Sequence, residues 1–231
     1  MTLLHEQERL QVAKTACGLL ESGLVVNTSG NASIRVDDHI VITPTGRRYE
    51  DLESRDILVL DMQGATVDGD LVPSSETPLH LSVYAADRDI AAIVHTHSVY
   101  ATAVSTLFRE LPAIHYQIAD LGGPVPVAPY RTFGTDELAS SLTEAIKGRT
   151  AALMQNHGAI TVAETIDKAL AKAVTLEWLA RVFLIANRSG TPSLVDDEEL
   201  ERVRARLDEF ADRQRIHLAS RQQTPAHPDE N

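Results

Sequence analysis

Two apolar runs constrain this chain more than anything else in it: AAIVHTHS at 91–98 and TAALMQNHGAITV at 150–162. Both read as buried strands, so the core must be built around a sheet. The second is broken by Asn156, His157 and Gly158, where the glycine permits an unusual backbone angle. Shorter strands are expected around Ile34 and Val36 after a turn at Asn27 to Asn31, in HIVITPTG until Pro44 and Gly46 halt it, at the start of DILVLDMQGATVDGD before a hairpin-like turn, and in VPVAPY. Helical spacing covers 3–20, ending near Gly23, and the stretches VYATAVSTLF, DELASSLTEAIKG (to Gly148), about 164–188 and about 196–218. SSETPLHLSVYAADR reads as a helix with Ser74 or Ser75 as its N-cap. With no linker and no internal repeat, residues 1–219 form a single domain, and the polar, Pro-containing SRQQTPAHPDEN at 220–231 is expected to be disordered.

Charge removes one class of function. Lys and Arg number 21 against 33 Asp and Glu, a net charge of −12, which argues against a partner built on a phosphate backbone. It leaves room for a small anion, because backbone N–H groups bind phosphate locally whatever the global charge. Cys17 is the sole cysteine, so no internal disulfide forms. The N-terminal stretch lacks the apolar core of a signal peptide, and no apolar run approaches the ~20 residues of a membrane span. A soluble cytoplasmic protein with neither nucleic acid nor membrane as partner is expected.

His95 and His97 lie one residue apart on a strand, so their side chains share a face. Alone, such a pair is more often two partly buried histidines with ordinary hydrogen bonds. His157, at the break in the other apolar run, shifts the balance, since three imidazoles with one open position make a catalytic zinc site. Glu76 follows two serines at a helix start, where a carboxylate commonly answers the helix dipole. Beside a metal it becomes a proton carrier. NTSGN at 27–31, TPTG at 43–46 and PSSE at 73–76 each expose N–H groups and hydroxyls suited to an anion, and none is a nucleotide fingerprint.

In order and spacing, TSGNAS, ITPTG, SSE, HTH, AIHYQIA, APYRTFGT and NHGAI resemble the motifs of the class II aldolase/adducin family, from about residue 5 to 190. The resemblance implies an α/β fold of three layers, α/β/α, with a mixed, mostly antiparallel sheet, assembled as a homotetramer with active sites between subunits. It implies one Zn2+ per subunit, or another divalent transition metal, on His95, His97 and His157, with Glu76 as acid/base and occasional ligand. It implies substrate phosphate held by Gly30, Asn31, Thr45, Gly46, Ser74 and Ser75. Tyr116 matches a tyrosine that completes the site of a neighbouring subunit, and Phe133 an aromatic lining it. The implied reaction is cleavage of a ketose 1-phosphate, L-fuculose 1-phosphate or a related deoxy sugar phosphate, to dihydroxyacetone phosphate and an aldehyde. The family's 4-epimerases carry aspartate where Glu76 stands; its dehydratases of methylthioribulose 1-phosphate share the ligands and the glutamate. Its adducin heads are binding modules, a reading that loss of the histidines would favour. The chain departs from the pattern in one place. Members acting on L-fuculose 1-phosphate carry a tyrosine in the C-terminal segment that closes over substrate, whereas no tyrosine follows Tyr130 here. Phe210 falls near the aromatic that precedes it there.

Overall fold

A computed structural model describes residues 3–222. Its centre is a nine-stranded sheet in the order β4-β3-β2-β1-β5-β9-β8-β7-β6. The strands are β1 (Asn31–Val36), β2 (His39–Ile42), β3 (Leu58–Asp61), β4 (Thr66–Asp68), β5 (Ala92–Thr96), β6 (Glu110–Leu111), β7 (Val125–Ala128), β8 (Ala151–Met154) and β9 (Gly158–Ala163). Every pairing is antiparallel except that of β7 with β8. The helices are α1 (Glu6–Glu21), α2 (Thr77–Ala86), α3 (Val99–Leu107), α4 (Asp136–Ala145), α5 (Ile166–Ser189) and α6 (Asp197–Gln222).

The apolar character of β5 comes from cover on both faces. Ala92 and Val94 pack with Val12, Ala16 and Leu19 of α1 and Ala169 of α5. Ile93, one residue out of phase, packs with Leu79 and Val83 of α2 and Leu138 of α4. A third cluster joins Ala101 and Val104 of α3 to Leu176 and Leu179 of α5 and to Leu200 of α6. Helices therefore lie on both faces of a mixed, mostly antiparallel sheet, giving the three-layer α/β/α arrangement. Among the described residues no helix is long and apolar enough to cross a membrane.

Four local expectations need correction. The run at 150–162 is not one interrupted strand but a hairpin: β8 and β9 pair antiparallel from Ala151↔Thr161 to Met154↔Gly158 around a tight turn at 155–157. The unusual backbone angle there belongs to Asn156, at φ 57°, and not to Gly158. Gly158 is required for space, because a Cβ on it would sit 2.1 Å from the Thr96 carbonyl oxygen of β5. Neither Ser74 nor Ser75 is the N-cap of α2; Glu76 holds that position, and its side chain makes no capping bond. The Ser74 hydroxyl instead accepts from the Glu76 N–H at 3.2 Å, ordering the turn before the helix. Helix α6 runs through Gln222, and the remainder of the tail expected to be disordered lies outside the described residues.

Candidate metal centre and anion-binding cavity

Residues 93 and 95 share the face of β5 that α2 covers, and α2 begins directly after Glu76; His97, expected on the same strand, instead follows directly after its last residue, Thr96. The β8–β9 turn delivers His157 to the same place. Ligand atoms of Glu76, His95, His97 and His157 all lie within 4.8 Å of one another. His95 Nε2 stands 2.9 Å from His97 Nε2 and 2.9 Å from Glu76 Oε2, and His157 Nε2 stands 3.2 Å from Glu76 Oε1.

The donor set fits a divalent transition metal. His95 Nδ1 lies 2.9 Å from the Ala159 carbonyl oxygen, which can only accept, so the proton sits on Nδ1 and the Nε2 lone pair faces the cluster. Ligands at ~2.1 Å in a tetrahedron stand about 3.4 Å apart, near the spacing found here. Glu76 is buried, and its Oε1 has no hydrogen-bond donor of proper geometry even though His157 is within ion-pair distance. A buried carboxylate oxygen left this way is costly unless a cation or substrate group answers it. Burial opposes its ionisation, but the His95 and His157 imidazoles outweigh that and hold the Glu76 carboxyl far below the ordinary range. Burial, with His95 and His157 beside it, pushes His97 down to about 3, so its ring is neutral as a ligand must be. His95 moves the other way: burial lowers it, but Glu76 prevails and raises it.

Three of the cluster's residues, Glu76, His97 and His157, line a cavity of about 340 Å³ together with Gly30, Asn31, Thr45, Ser74, Ser75 and Phe133, while His95 is fully buried and does not reach it. Backbone bonds draw the three polar loops together. Thr45 N donates to Val72 O at 2.9 Å, and Ser74 N to Thr43 O at 3.2 Å, so the second and third loops are stitched side by side. The first loop is pressed against β5 at Gly30 (φ 77°), where a Cβ would lie 2.6 Å from Val25 and 2.8 Å from the His95 carbonyl oxygen. The buried Tyr49 hydroxyl donates to Gly30 O at 2.5 Å from below.

Of the expected anion-binding residues, Gly46 does not line the cavity; it turns the chain beside Thr45 at φ 69°. Tyr116 is also absent from it. It opens a 3-10 turn (Tyr116–Leu121), half exposed, its ring 4.4 Å from that of His115, which in turn meets Trp178 edge-on at 4.9 Å. Thr28, Ser29, Pro44, Tyr130, Arg131 and Asn156 line the cavity and were not singled out from sequence. The signal was present, for each lies inside a motif already noted: NTSGN, TPTG, APYRTFGT or NHGAI.

A family profile described as Class II Aldolase and Adducin N-terminal domain matches residues 10–184. The chain is 43% identical over 191 residues to the L-fuculose phosphate aldolase of Escherichia coli strain K12, covering 81% of this chain and 88% of that one. It is 36% identical over 210 residues to the 5-deoxy-D-ribulose 1-phosphate aldolase of Bacillus thuringiensis serovar kurstaki, covering 90% and 99%. A solved L-fuculose 1-phosphate aldolase superposes with a TM-score of 0.86 at 35% identity, over 89% of this chain and 98% of that one.

Proposed function

The chain belongs to the class II aldolase and adducin family, and from that premise we propose that it cleaves L-fuculose 1-phosphate or a related deoxy-ketose 1-phosphate to dihydroxyacetone phosphate and an aldehyde. It is a metal-dependent carbon–carbon lyase. The observation carrying the proposal is the union of four converging metal-type donors with three anion-type loops at one cavity. Zinc is the metal this donor set suits, since three imidazoles favour it over magnesium. When bound, such an ion acts as a Lewis acid towards the substrate carbonyl, stabilising the negative charge left as the carbon–carbon bond breaks.

The chain's own residues do the rest. Thr45, Ser74, Ser75, Gly30 and Asn31 hold the phosphate, so remote binding energy fixes the reacting carbons over the histidines. Gly46 acts at one remove, by shaping the turn that presents Thr45. Tyr116, from a neighbouring subunit of a homotetramer, takes the hydroxyl proton on the aldehyde half. The electron pair of the broken bond stays with the ketone half, and Glu76 delivers a proton to that carbon. In condensation Glu76 removes the same proton. Phe133, largely exposed at the cavity, packs against the aldehyde half. A glutamate at 76 sets this reading above the epimerase, which uses aspartate there, and the intact histidine cluster sets it above a binding module. A cytoplasmic site of action fits a sugar-phosphate substrate.

The test is a product assay with a panel of ketose 1-phosphates and L-ribulose 5-phosphate. Release of dihydroxyacetone phosphate from a ketose 1-phosphate is expected. Epimerisation of the pentulose 5-phosphate without cleavage of any ketose 1-phosphate would overturn it.

A further inference from the structure

Behind Glu76 a line of polar groups runs into the core, and the chemistry above uses only its first member. Asn31 Nδ2 donates to Glu76 Oε2 at 3.0 Å, and Asn31 Oδ1 meets His80 Nε2 at 2.5 Å. On the far side of the ring, His80 Nδ1 meets Ser33 Oγ at 2.6 Å, and Ser33 Oγ meets the Tyr84 hydroxyl at 2.8 Å. Asn31 is 3% exposed; Ser33, His80 and Tyr84 are fully buried. Polar groups so far from water are expensive unless each finds a partner.

Donors and acceptors along this line admit one consistent assignment. An ionised carboxylate only accepts, so Asn31 turns its NH2 towards Glu76 and its carbonyl towards His80. His80 must then carry its proton on Nε2. That leaves Nδ1 bare to accept from the Ser33 hydroxyl, while the single Tyr84 hydroxyl proton is shared between Ser33 Oγ at 2.8 Å and the Ser33 carbonyl oxygen at 3.1 Å. Burial, with His95 nearby, pushes His80 down to about 3, so the ring holds a single proton near neutral pH.

We infer that His80 is a positioning residue: its Nε2–H fixes which way the Asn31 amide faces, and thereby holds the Glu76 carboxylate in place. The second N–H of that amide is left for the cavity that Asn31 lines. Turned over, the amide would set its carbonyl oxygen against the carboxylate, two acceptors face to face in a buried site. The role rests on the reading of Glu76 as proton carrier. His80 lies one helical turn after Glu76 and contacts none of the three histidines of the cluster through a hydrogen bond. Its effect is therefore on orientation and not on metal retention.

Two replacements separate positioning from filling. Glutamine at 80 sets its amide nitrogen near the Nε2 position and keeps the donor to Asn31, while asparagine reaches only towards Ser33. The readout is exchange of a carbon-bound proton of dihydroxyacetone phosphate with solvent deuterium, with metal content and thermal unfolding measured alongside. His80→Asn should lower the exchange rate on the order of 10- to 100-fold, the loss of one buried, charge-linked hydrogen bond, with metal content unchanged. His80→Gln should recover most of the rate. In an Asn31→Ala background, where no amide remains to orient, His80→Asn should cost less than about 2-fold further. Equal losses in the asparagine and glutamine variants, or the same fold-loss with and without Asn31, would overturn the role. If wild type itself exchanges no proton, the aldolase reading fails instead. The ring-nitrogen NMR shifts of His80 then still decide the arrangement: a proton on Nε2 supports it, a proton on Nδ1 overturns it.

Discussion

Gly158→Ala distinguishes two reasons for a glycine beside His157. If glycine served only conformational freedom, alanine would be tolerated, because the φ of Gly158 is not in the left-handed region. Such a replacement stabilises by about 0.4–1 kcal/mol through the unfolded chain. The structure demands the opposite sign. An added Cβ would lie 2.1 Å from Thr96 O and 3.1 Å from His97 Cδ2. Cβ atoms essentially never come within 3.0 Å of such an atom, so β9 must retreat from β5 by at least ~0.9 Å. That displacement falls on the Thr96↔Ala159 pairing, at the centre of the sheet. Overpacking of this kind costs about 3 kcal/mol, which for a domain of this size is a loss of roughly 6–12 °C in Tm. His157 immediately precedes the displaced residue, and ligand distances tolerate only ~0.2 Å. Metal affinity should therefore fall about 10- to 100-fold, as for disturbed ligand support elsewhere. Calorimetry measures the first effect and chelator competition the second. A variant that melts within about 2 °C of wild type and holds metal equally well would refute the steric argument.

Elemental analysis should find about one divalent metal per subunit, with zinc expected from the donor chemistry, and equal metal in a His95→Ala/His97→Ala double variant would contradict the ligand assignment. Glu76→Gln should retain fold and metal while slowing solvent proton exchange by about 10²- to 10⁴-fold; wild-type exchange in that variant would remove Glu76 from the chemistry. Tyr116→Phe and Glu76→Gln subunits, each nearly inactive alone, should recover activity when reassembled together, and verified mixed assemblies without recovered activity would end the shared-site proposal. His80 predicts a pH slope. Its folded pKa of about 3 lies below the ordinary 6.5, so the unfolded chain binds the proton first as pH falls. The stability it contributes is complete above 6.5 and drains away towards 3, at up to ~1.4 kcal/mol per pH unit. His80→Gln should flatten the wild-type decline in unfolding free energy over that range, and identical slopes would contradict it.

What could be read from sequence was what local pattern controls. The six helices and the longer strands announce themselves through apolar spacing and through Gly or Pro at their ends. The cluster of His95, His97, His157 and Glu76 was legible because the HxH spacing and the motif order carry it. The hairpin of β8 and β9 was misread as one broken strand because both arms are buried on both faces, so no alternation marks the reversal. Gly158 was assigned the wrong virtue for a related reason: its crowding comes from Thr96, 62 residues earlier in the chain and beside it only once β5 and β9 pair. His80 gave no signal, since its partners Asn31 and Ser33 lie 49 and 47 positions away. Within helix α2 its periodicity matches that of an ordinary core residue.

The position of Glu76 ahead of α2 has an evolutionary consequence. Helix N-caps favour Ser, Thr, Asp or Asn, whose side chains bond the first free N–H groups for about 0.5–2 kcal/mol. Glu76 occupies that position without making such a bond, its carboxylate committed to the histidine cluster. Selection for folding alone would therefore erode this site from its central residue outward. A serine or threonine at 76 would cap the helix and remove the buried carboxylate, leaving the site without a proton carrier. Glutamate at 76 is thus explained by the cluster it serves and not by the helix it precedes.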